Sequence, residues 1–428
     1  MTRLSRRQFT GVLSVGALAL GMRDASAQGP ETFTILSHRV HQQSATSADR
    51  AGGDVTDQWA KRNNRKATWV TMDNAAIHDR LQRELSLNQT SLDLAFVLNT
   101  AISPRLLGLL EPLDAFQAGA PIEDLSDISP GMVKAVTQDG TMCAIPVRHA
   151  TVGLFYNEEL FAERGVAGPP QTLEELISTA GKMTYRRSDG TPVSGFAFQA
   201  NSHFAFSTLA FAFDAPLIDA DMKLLPNEAG MVRMFETLRD LFSRNVLPRN
   251  FTSLNQEDVF TMIQQGRVAM APAIMGRIAD FNDPAKSKFP GRIKLAPYPS
   301  LSTMKDRIVA TSDFWSMGIP KNSKSKEAAW DLIRTLSSKD GTLRQALNGN
   351  GPVRSSVYAD QRVIQGVPQA AIEASVLPYA RPPLPVFGNA QRVADIMTQT
   401  SQGVALAMIS PQAAVADLKA QIAPLLVN

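Results

Sequence analysis

Residues 144–184 constrain the fold of this chain more than any other stretch. They open with an apolar, β-branched and aromatic run that ends at Tyr156, and this run predicts a long strand. Asn157 follows directly and suits the N-cap of a helix. Thr172, with Glu175 three residues later, has the spacing of a capping box and predicts the start of a second helix. The stretch is therefore interpreted as a strand followed by two helices.

Strands and helices also alternate before this stretch. Thr32–Ser37, Ala67–Met72 and Leu92–Leu98 have the composition of strands. Helices are expected over residues 48–63, ending near Trp59, and from Asn74 onward. A β-α-β-α-β order implies right-handed crossovers and a mainly parallel sheet covered by helices on both faces. Ligands bind such sheets at the carboxyl ends of the strands, so we expect a site in those loops.

Short sequence words in the central stretch resemble one protein family, the extracellular solute-binding proteins of ABC importers. The resemblance is to the group that binds maltose-like sugars and glycerol phosphodiesters. Its words in the stretch are Ile145-Pro146, Leu154, Tyr156-Asn157, Leu160-Phe161, Gly165, Pro169-Pro170 and Thr172-Glu175. Later words that match are Phe260 with Gly266-Arg267, Trp315 with Ile319-Pro320-Lys321, Glu327-Ala328-Ala329-Trp330, and Gly351-Pro352-Val353-Arg354. The resemblance covers residues 31–425.

This resemblance implies a two-lobed α/β periplasmic binding protein. Each lobe is expected to be a doubly wound, mainly parallel sheet flanked by helices, with crossover strands as the hinge. We expect the first part of the N-terminal lobe in residues 28–147 and the main part of the C-terminal lobe in residues 148–310. Residues 311–428 are expected to hold the hinge return and C-terminal helical segments that the lobes share.

The first 27 residues are interpreted as an export signal and not as part of the fold. Ser5-Arg6-Arg7-Gln8-Phe9 fits the twin-arginine pattern and precedes an apolar run that is too short to span a bilayer. Small residues at Ala25-Ser26-Ala27 suit cleavage, and no cysteine follows them to carry a lipid anchor. We therefore expect a mature protein that is free in the bacterial periplasm, not membrane-anchored, and monomeric.

The charge of the mature chain excludes some classes of partner. The full chain has 43 basic and 40 acidic residues, a surplus of three. The signal holds four arginines against one aspartate, which is also a surplus of three. The mature protein is therefore formally neutral and has no basic tract for nucleic acid or an anionic membrane.

Motifs of catalysis were sought in the sequence and not found. The chain has no G-x-S-x-G elbow, no H-E-x-x-H and no phosphate-binding G-x₄-G-K-[ST] loop. We therefore expect a protein that is not an enzyme and needs no cofactor. A zinc site built from His38, His41 and a distant third ligand is a less favoured alternative.

Candidate ligand-binding residues were chosen from loops beside the predicted strands and from the matched words. They are Ser37, His38, Asn99, Thr100, Arg148, His149, Asn201, His203, Gly276, Arg277, Asp313, Phe314, Trp315, Gly351 and Arg354. Amide, carboxylate and guanidinium groups suit sugar hydroxyls, and Phe314 or Trp315 suits the apolar face of a sugar ring. The resemblance places Arg354 in the cleft, whereas Asp313 is a candidate acceptor for hydroxyl groups.

The expected ligand is a small carbohydrate-like solute that the protein delivers to an ABC permease. Aromatic residues make up only 7% of the chain, and His38 stands where the family often has tryptophan. A monosaccharide, a polyol or a sugar or polyol phosphate therefore fits better than a long oligosaccharide. The alternatives are a binding protein for a metal complex or a peptide and, less favoured, a periplasmic carbohydrate-active enzyme subunit.

Overall fold

The structure is a computed structural model that describes residues 30–304 and 308–426. The predicted export signal lies outside the described residues. The strands are β1 Glu31–Ser37, β2 Arg65–Thr71, β3 Leu94–Leu98, β4 Thr137–Gln138, β5 Thr141–Met142, β6 Ile145–Asn157, β7 Tyr185–Arg186, β8 Pro192–Phe196, β9 Val268–Ile274, β10 Ile293–Ala296, β11 Tyr298–Pro299, β12 Ile308–Val309 and β13 Ser312–Gly318.

Helices of very different length connect and cover these strands. They are α1 Arg39–Thr46, α2 Asp57–Arg62, α3 Asn74–Leu85, α4 Pro104–Leu107, α5 Asp114–Gly119, α6 Pro130–Ala135, α7 Glu158–Glu163, α8 Leu173–Lys182, α9 His203–Ala212, α10 Glu228–Ser243, α11 Gln256–Gln264, α12 Ile278–Phe281, α13 Lys326–Ser337, α14 Lys339–Leu347, α15 Gln361–Gly366, α16 Ala370–Val376, α17 Ala390–Ala405 and α18 Pro411–Ile422. None of the helices within the described ranges is both long and apolar enough to cross a membrane.

One continuous hydrogen-bonded sheet runs through the molecule in the order β2-β1-β3-β13-β6-β9-β8-β7, with β10 paired to β6. Strands β1, β2 and β3 are parallel to one another, as are β8 and β9. Strands β6 and β13 run antiparallel to each other and join the two parallel groups. The first half of β6 pairs with β13, and its second half pairs with β9. This long strand is therefore the main crossing between the two halves of the sheet.

Two separate hydrophobic cores flank the crossing. The first core contains residues from Phe33 to Val147, Met275, and residues from Ala310 to Ala380. The second core contains other buried apolar residues from Leu154 to Val309 and returns in residues from Leu384 to Ile422. The chain passes between the cores along β6, just before β13, and near residue 382. The two-lobed α/β architecture expected from the sequence is confirmed.

The central stretch folds as its caps predict. The Asn157 side chain accepts hydrogen bonds from the amides of Glu159 and Leu160, at 3.0 and 3.2 Å, which caps α7. Thr172 accepts a bond from the Glu175 amide at 3.2 Å and caps α8. The capping box itself is not formed. The Glu175 carboxylate accepts a hydrogen bond from the backbone amide of Gln171, the residue before Thr172, and not from the amide of Thr172.

The helix expected over residues 48–63 is confirmed only in its last part, where α2 covers Asp57–Arg62. The structure has α1 directly after β1, then a turn, and a separate short helix, α2. The imidazole of His38 accepts a bond from the amide of Val40 and caps α1, so the helix starts earlier than predicted. Gly52 then packs so closely on the α14 backbone that a Cβ there would lie 1.9 Å from the carbonyl oxygen of Arg344. That tertiary contact, and not helix propensity, shapes the segment.

Candidate functional site

A cavity of about 210 Å³ lies where the second lobe meets the two crossing strands. Strands β6, β9 and β13 form one wall, and the first turns of α9 and α11 form another. Its lining residues are Val152, Gln199, Ser202, Phe204, Ala205, Thr208, Gln256, Val259, Phe260, Pro272, Ala273, Ile274 and Asp313. The lining combines amide, hydroxyl and carboxylate groups with apolar surface, a mixture that suits a small polyhydroxy molecule.

Asp313 contributes the only ionisable side chain among the described residues that line this cavity. It stands on β13, opposite Ala150 of β6, so both crossing strands fix its position. Its Oδ1 atom is buried and has no hydrogen-bond partner among the described residues. Burial raises the pKa of the Asp313 carboxyl to about 6, although a hydrogen bond with Asn99 opposes that rise. Asp313 thus lines the cavity and has an acceptor atom that no described residue uses.

The neutral polar groups of the lining are positioned by α9 and the segment before it. Ser202 caps α9 by accepting a bond from the Phe204 amide at 3.3 Å. The hydroxyl of Thr208 donates to the Phe204 carbonyl at 2.9 Å, and the amide of Gln199 donates to Asn201 at 3.0 Å. These local bonds hold the polar side chains beside the cavity and leave further hydrogen-bonding capacity on their oxygen atoms.

Asn99 and Thr100 come from the first lobe and meet His203 of the second lobe. The three line a small cavity of about 30 Å³ together with residues that follow the last crossing of the chain. The side-chain oxygen of Asn99 accepts a bond from the Phe314 amide at 2.9 Å, which holds the loop after β3 against β13. Burial lowers the pKa of His203 to about 4, so this histidine is neutral at pH 7. The structure brings these three predicted residues together at the junction of the lobes.

His149 is fully engaged within the protein. Its Nδ1 lies 2.9 Å from the Thr151 hydroxyl, and its Nε2 lies 2.6 Å from the Tyr358 hydroxyl. Tyr358 in turn donates to the Glu373 carboxylate at 3.0 Å. Burial lowers the pKa of His149 to about 3, and burial raises the pKa of Glu373 to about 7. His149 therefore anchors β6 to the segment after the second crossing and has no free ring nitrogen for a ligand.

Arg148 and its neighbours form a second polar group on the crossing strand. The guanidinium donates to the side-chain oxygen of Asn350 at 3.1 Å, and Asn350 donates to the Val147 carbonyl at 2.8 Å. Burial lowers the pKa of Arg148 to about 10, while the Glu373 carboxylate opposes that change. The positive charge of Arg277 also lowers the pKa of Arg148. The Arg277 side chain itself pairs with Asp280 at 3.0 Å. Neither arginine lines the cavity at Asp313.

Arg354 is not in the cleft, which corrects the role expected from the matched turn. Its side chain is 0% exposed and donates to the carbonyls of Ser337, Asp124 and Glu123, at 2.7, 2.9 and 2.8 Å. It also pairs with Asp127 at 3.3 Å. With these acceptors the guanidinium fastens the segment before α6 to the end of α13, so we remove Arg354 from the candidate site.

The predicted stacking residues also belong to the first core. Phe314 is wholly buried and Trp315 is 7% exposed, so neither offers a free aromatic face. The Trp315 ring lies among three imidazoles, with centroid distances of 6.3 Å to His38, 4.7 Å to His41 and 6.4 Å to His78. Despite this cluster, no three His, Cys, Asp or Glu side chains in residues 30–304 and 308–426 are placed to hold a metal ion.

The remaining candidates lie near the crossing without lining the cavity. Ser37 is buried and donates to the His38 carbonyl at 3.1 Å. Asn201 and Gly276 are exposed on the second lobe. Gly351 accepts a bond from the His149 amide at 3.1 Å, and a Cβ there would lie 2.4 Å from the His149 carbonyl oxygen. Gly351 is thus needed for close packing of its turn against β6.

The sequence did not single out Gln199, Ser202, Phe204 or Gln256 as site residues. Gln256 directly follows Asn255, which caps α11, and an asparagine with an acidic residue three positions later is a helix-start signal that the sequence contains. The direction in which α9 and α11 point was not visible, because it depends on how both helices pack beside β9. A larger cavity of about 360 Å³, between α4, α6 and the segment after α9, is lined mainly by apolar groups and suits a polyhydroxy ligand less well.

Comparison with known proteins identifies the family. The model of the bacterial extracellular solute-binding proteins matches residues 54–370. This chain belongs to that family. An amino-acid ABC transporter periplasmic-binding protein of Sinorhizobium fredii is 22% identical over 441 residues, which cover 98% of this chain and 97% of the relative.

Two solved structures share the fold. An ABC transporter solute-binding protein of Thermotoga lettingae, bound with α-D-tagatose, has a TM-score of 0.75 and 21% identity. The match covers 92% of this chain and 100% of the other. A solute-binding protein of Agrobacterium radiobacter, in complex with ribitol, has a TM-score of 0.73 and 20% identity, covering 92% and 98%. The expectation of a solute-binding protein of the ABC-transporter type is thereby confirmed.

Proposed function

We propose that this solute-binding protein takes a small carbohydrate-like solute into the cavity at Asp313 and delivers it to an ABC permease. The solute is a monosaccharide, a polyol or a sugar or polyol phosphate. One observation carries the proposal: Asp313, which has a carboxylate oxygen without a hydrogen-bond partner among the described residues, lines a cavity together with amides and hydroxyls. A carboxylate in that setting accepts hydrogen bonds from ligand hydroxyls. The two neighbours that bind ribitol and tagatose support the choice of solute.

The proposed site extends to the residues at the junction of the lobes. Asn99 and Thr100 on one side and His203 on the other approach each other where the lobes meet. We assign the lobes by their cores, with the crossings along β6, just before β13 and near residue 382. Bending at these crossings opens and closes the site, and a ligand that touches both lobes favours the closed state by its differential affinity. The protein performs no chemistry on the solute.

A thermal-shift panel tests the choice of solute. The mature chain, residues 28–428, is heated with sugars, polyols and their phosphates at millimolar concentration. A ligand present at one hundred times its Kd adds about 2.7 kcal/mol to the free energy of unfolding. Such a ligand should raise the Tm by several degrees. If no member of the panel shifts the Tm, the carbohydrate assignment is wrong.

An amino acid is the second candidate solute, because the Sinorhizobium fredii relative is described as an amino-acid binding protein. The panel therefore includes the common amino acids and short peptides. Zinc analysis of the purified protein and assays of sugar turnover test the remaining alternatives, a metal complex as solute and an enzyme subunit. A Tm shift with amino acids but not with sugars would replace the carbohydrate assignment.

We also propose export by the twin-arginine route into the periplasm, as a monomer without a membrane anchor. The pair Arg6 and Arg7, followed by Phe9, supports this route. Replacing both arginines by lysine should leave the precursor in the cytoplasm, as judged by fractionation and immunoblotting. Normal periplasmic accumulation of that variant would contradict the route. Size-exclusion chromatography with light scattering should give the mass of a single chain.

A further inference from the structure

We propose that the solute bound in the cavity carries a protonated amine, as an amino sugar or an aminated polyol does, and that this amine pairs with Asp313. The inference rests on the proposed function, because it assigns a charge class to the ligand of the same site. It depends on the charge balance around the cavity, on the unpartnered oxygen of Asp313 and on the rings beside it.

The described lining of the cavity has an uncompensated negative charge. No lysine, arginine or histidine lies among the described lining residues. Arg277 lies beside the lining, with its guanidinium 5.4 Å from the centre of the Phe260 ring. Arg277 is already paired with Asp280, which offsets its charge. Asp313 therefore has no counter-ion among the described residues.

The two helices that begin at the cavity do not neutralise this charge. A helix N-terminus carries about half a positive charge. The first turn of α9 has no acidic residue, so its dipole opposes part of the Asp313 charge. The first turn of α11 carries Glu257 and Asp258, which offset its dipole. The net charge of Asp313, the two helix N-termini and the two acids of α11 remains negative. A positively charged ligand group is therefore favoured.

An ammonium group supplies what the Asp313 carboxylate lacks. A buried charge is costly unless it is paired and hydrogen-bonded. A hydroxyl gives the Oδ1 atom a hydrogen bond but no countercharge, whereas an ammonium gives both. The cavity also offers the ring of Phe204, and aromatic faces attract cations. These features together favour an amine over a hydroxyl of equal size.

The pairing predicts a pH dependence of binding with a definite sign. The pKa of Asp313 is raised to about 6 by burial, so the carboxyl is mostly protonated near pH 5. An aliphatic amine stays protonated throughout this range. Affinity for an amine should therefore increase from pH 5 to pH 7 and change little above that. The other groups that influence the charge at Asp313 are the Asn99 side chain, the Arg277–Asp280 pair and the two acids of α11.

Calorimetry with matched ligand pairs tests the proposal on the mature protein. The pairs are glucamine with glucitol, glucosamine with glucose, and putrescine with 1,4-butanediol. We expect wild type to bind the amine of at least one carbohydrate pair at least tenfold more tightly than its hydroxyl partner. Asp313→Asn should reduce that preference to about threefold or less. Asp360→Asn, which makes the same change at a carboxylate that pairs with Arg362 outside the cavity, should keep the preference.

Each outcome decides the proposal. If the hydroxyl members bind as well as the amines, the amine is not recognised, while the proposed carbohydrate function stands. If putrescine binds as tightly as glucamine, the charge assignment stands and the carbohydrate function fails. If no member of any pair binds, the proposal is overturned. Should Asp313→Asn fail to fold, calorimetry of glucamine binding to wild type between pH 5 and pH 7 decides. An affinity that does not change over this range refutes the pairing.

Discussion

Replacing Arg354 by alanine should destabilise the first lobe strongly, because the change removes a buried cation with four acceptors. Three backbone carbonyls and the Asp127 carboxylate would lose their shared donor. Each buried acceptor left without a partner costs about 1–3 kcal/mol. Removing one member of a buried ion pair costs about 3–5 kcal/mol. These contributions are not additive, so we expect the free energy of unfolding to fall by about 3–5 kcal/mol.

Thermal and urea unfolding followed by circular dichroism measure this loss. For a domain of 150–250 residues, about 1 kcal/mol shifts the Tm by roughly 2–4 °C, so the variant should melt about 10 °C below wild type. Arg362→Ala is the matched control, because Arg362 is exposed and pairs only with Asp360 among the described residues. The control should stay within about 0.5 kcal/mol of wild type. An Arg354→Ala protein as stable as the control would refute the structural role.

Three further predictions concern the crossing strand and its surroundings. Glu373 has a folded pKa of about 7, raised from 4.5 by burial, so its stabilising effect is present below pH 4.5 and is lost as pH rises through 7. The Tm of wild type relative to that of Glu373→Gln should therefore fall between pH 4.5 and pH 8, and parallel profiles would contradict the shift. Gly351→Ala should lower the free energy of unfolding in urea by about 1–3 kcal/mol, because its Cβ would lie 2.4 Å from a carbonyl oxygen of β6. The control is Gly168→Ala, whose Cβ would meet nothing within 4 Å and should leave the stability nearly unchanged. Asn157→Ala should lower the free energy of unfolding by about 1 kcal/mol, because α7 loses its cap. Asn157→Ser should retain most of that stability, since serine also caps helices. Equal stability of the two variants would argue against the cap.

The sequence predicted the elements whose signals are local. The β6 strand and the Asn157 and Thr172 caps depend on residues close together in the sequence, and the structure has them all. The first part of the segment over residues 48–63 was predicted wrongly because its path is set by contact with α14, nearly three hundred residues later. Local propensity carries no information about such a contact.

The site was predictable only where the chain places polar residues directly at a strand or crossing. Asp313 was selected as a loop residue just before the matched word at Trp315, and the structure places it on β13 itself. Arg354 was misplaced because the matched turn defines its backbone, while the direction of its side chain depends on the remote carbonyls of Asp124 and Glu123. Phe314 and Trp315 were expected to face a ligand, but alternation along β13 and the burial of both faces place them in the core.

A crystal structure of the mature protein with the strongest ligand from the thermal-shift panel tests the central claim most directly. The ligand should lie in the cavity between β9, β13 and the start of α9, with a hydroxyl or amine within hydrogen-bonding distance of the Asp313 carboxylate. A ligand bound elsewhere, or one in this cavity without a contact to Asp313, would contradict the proposed site.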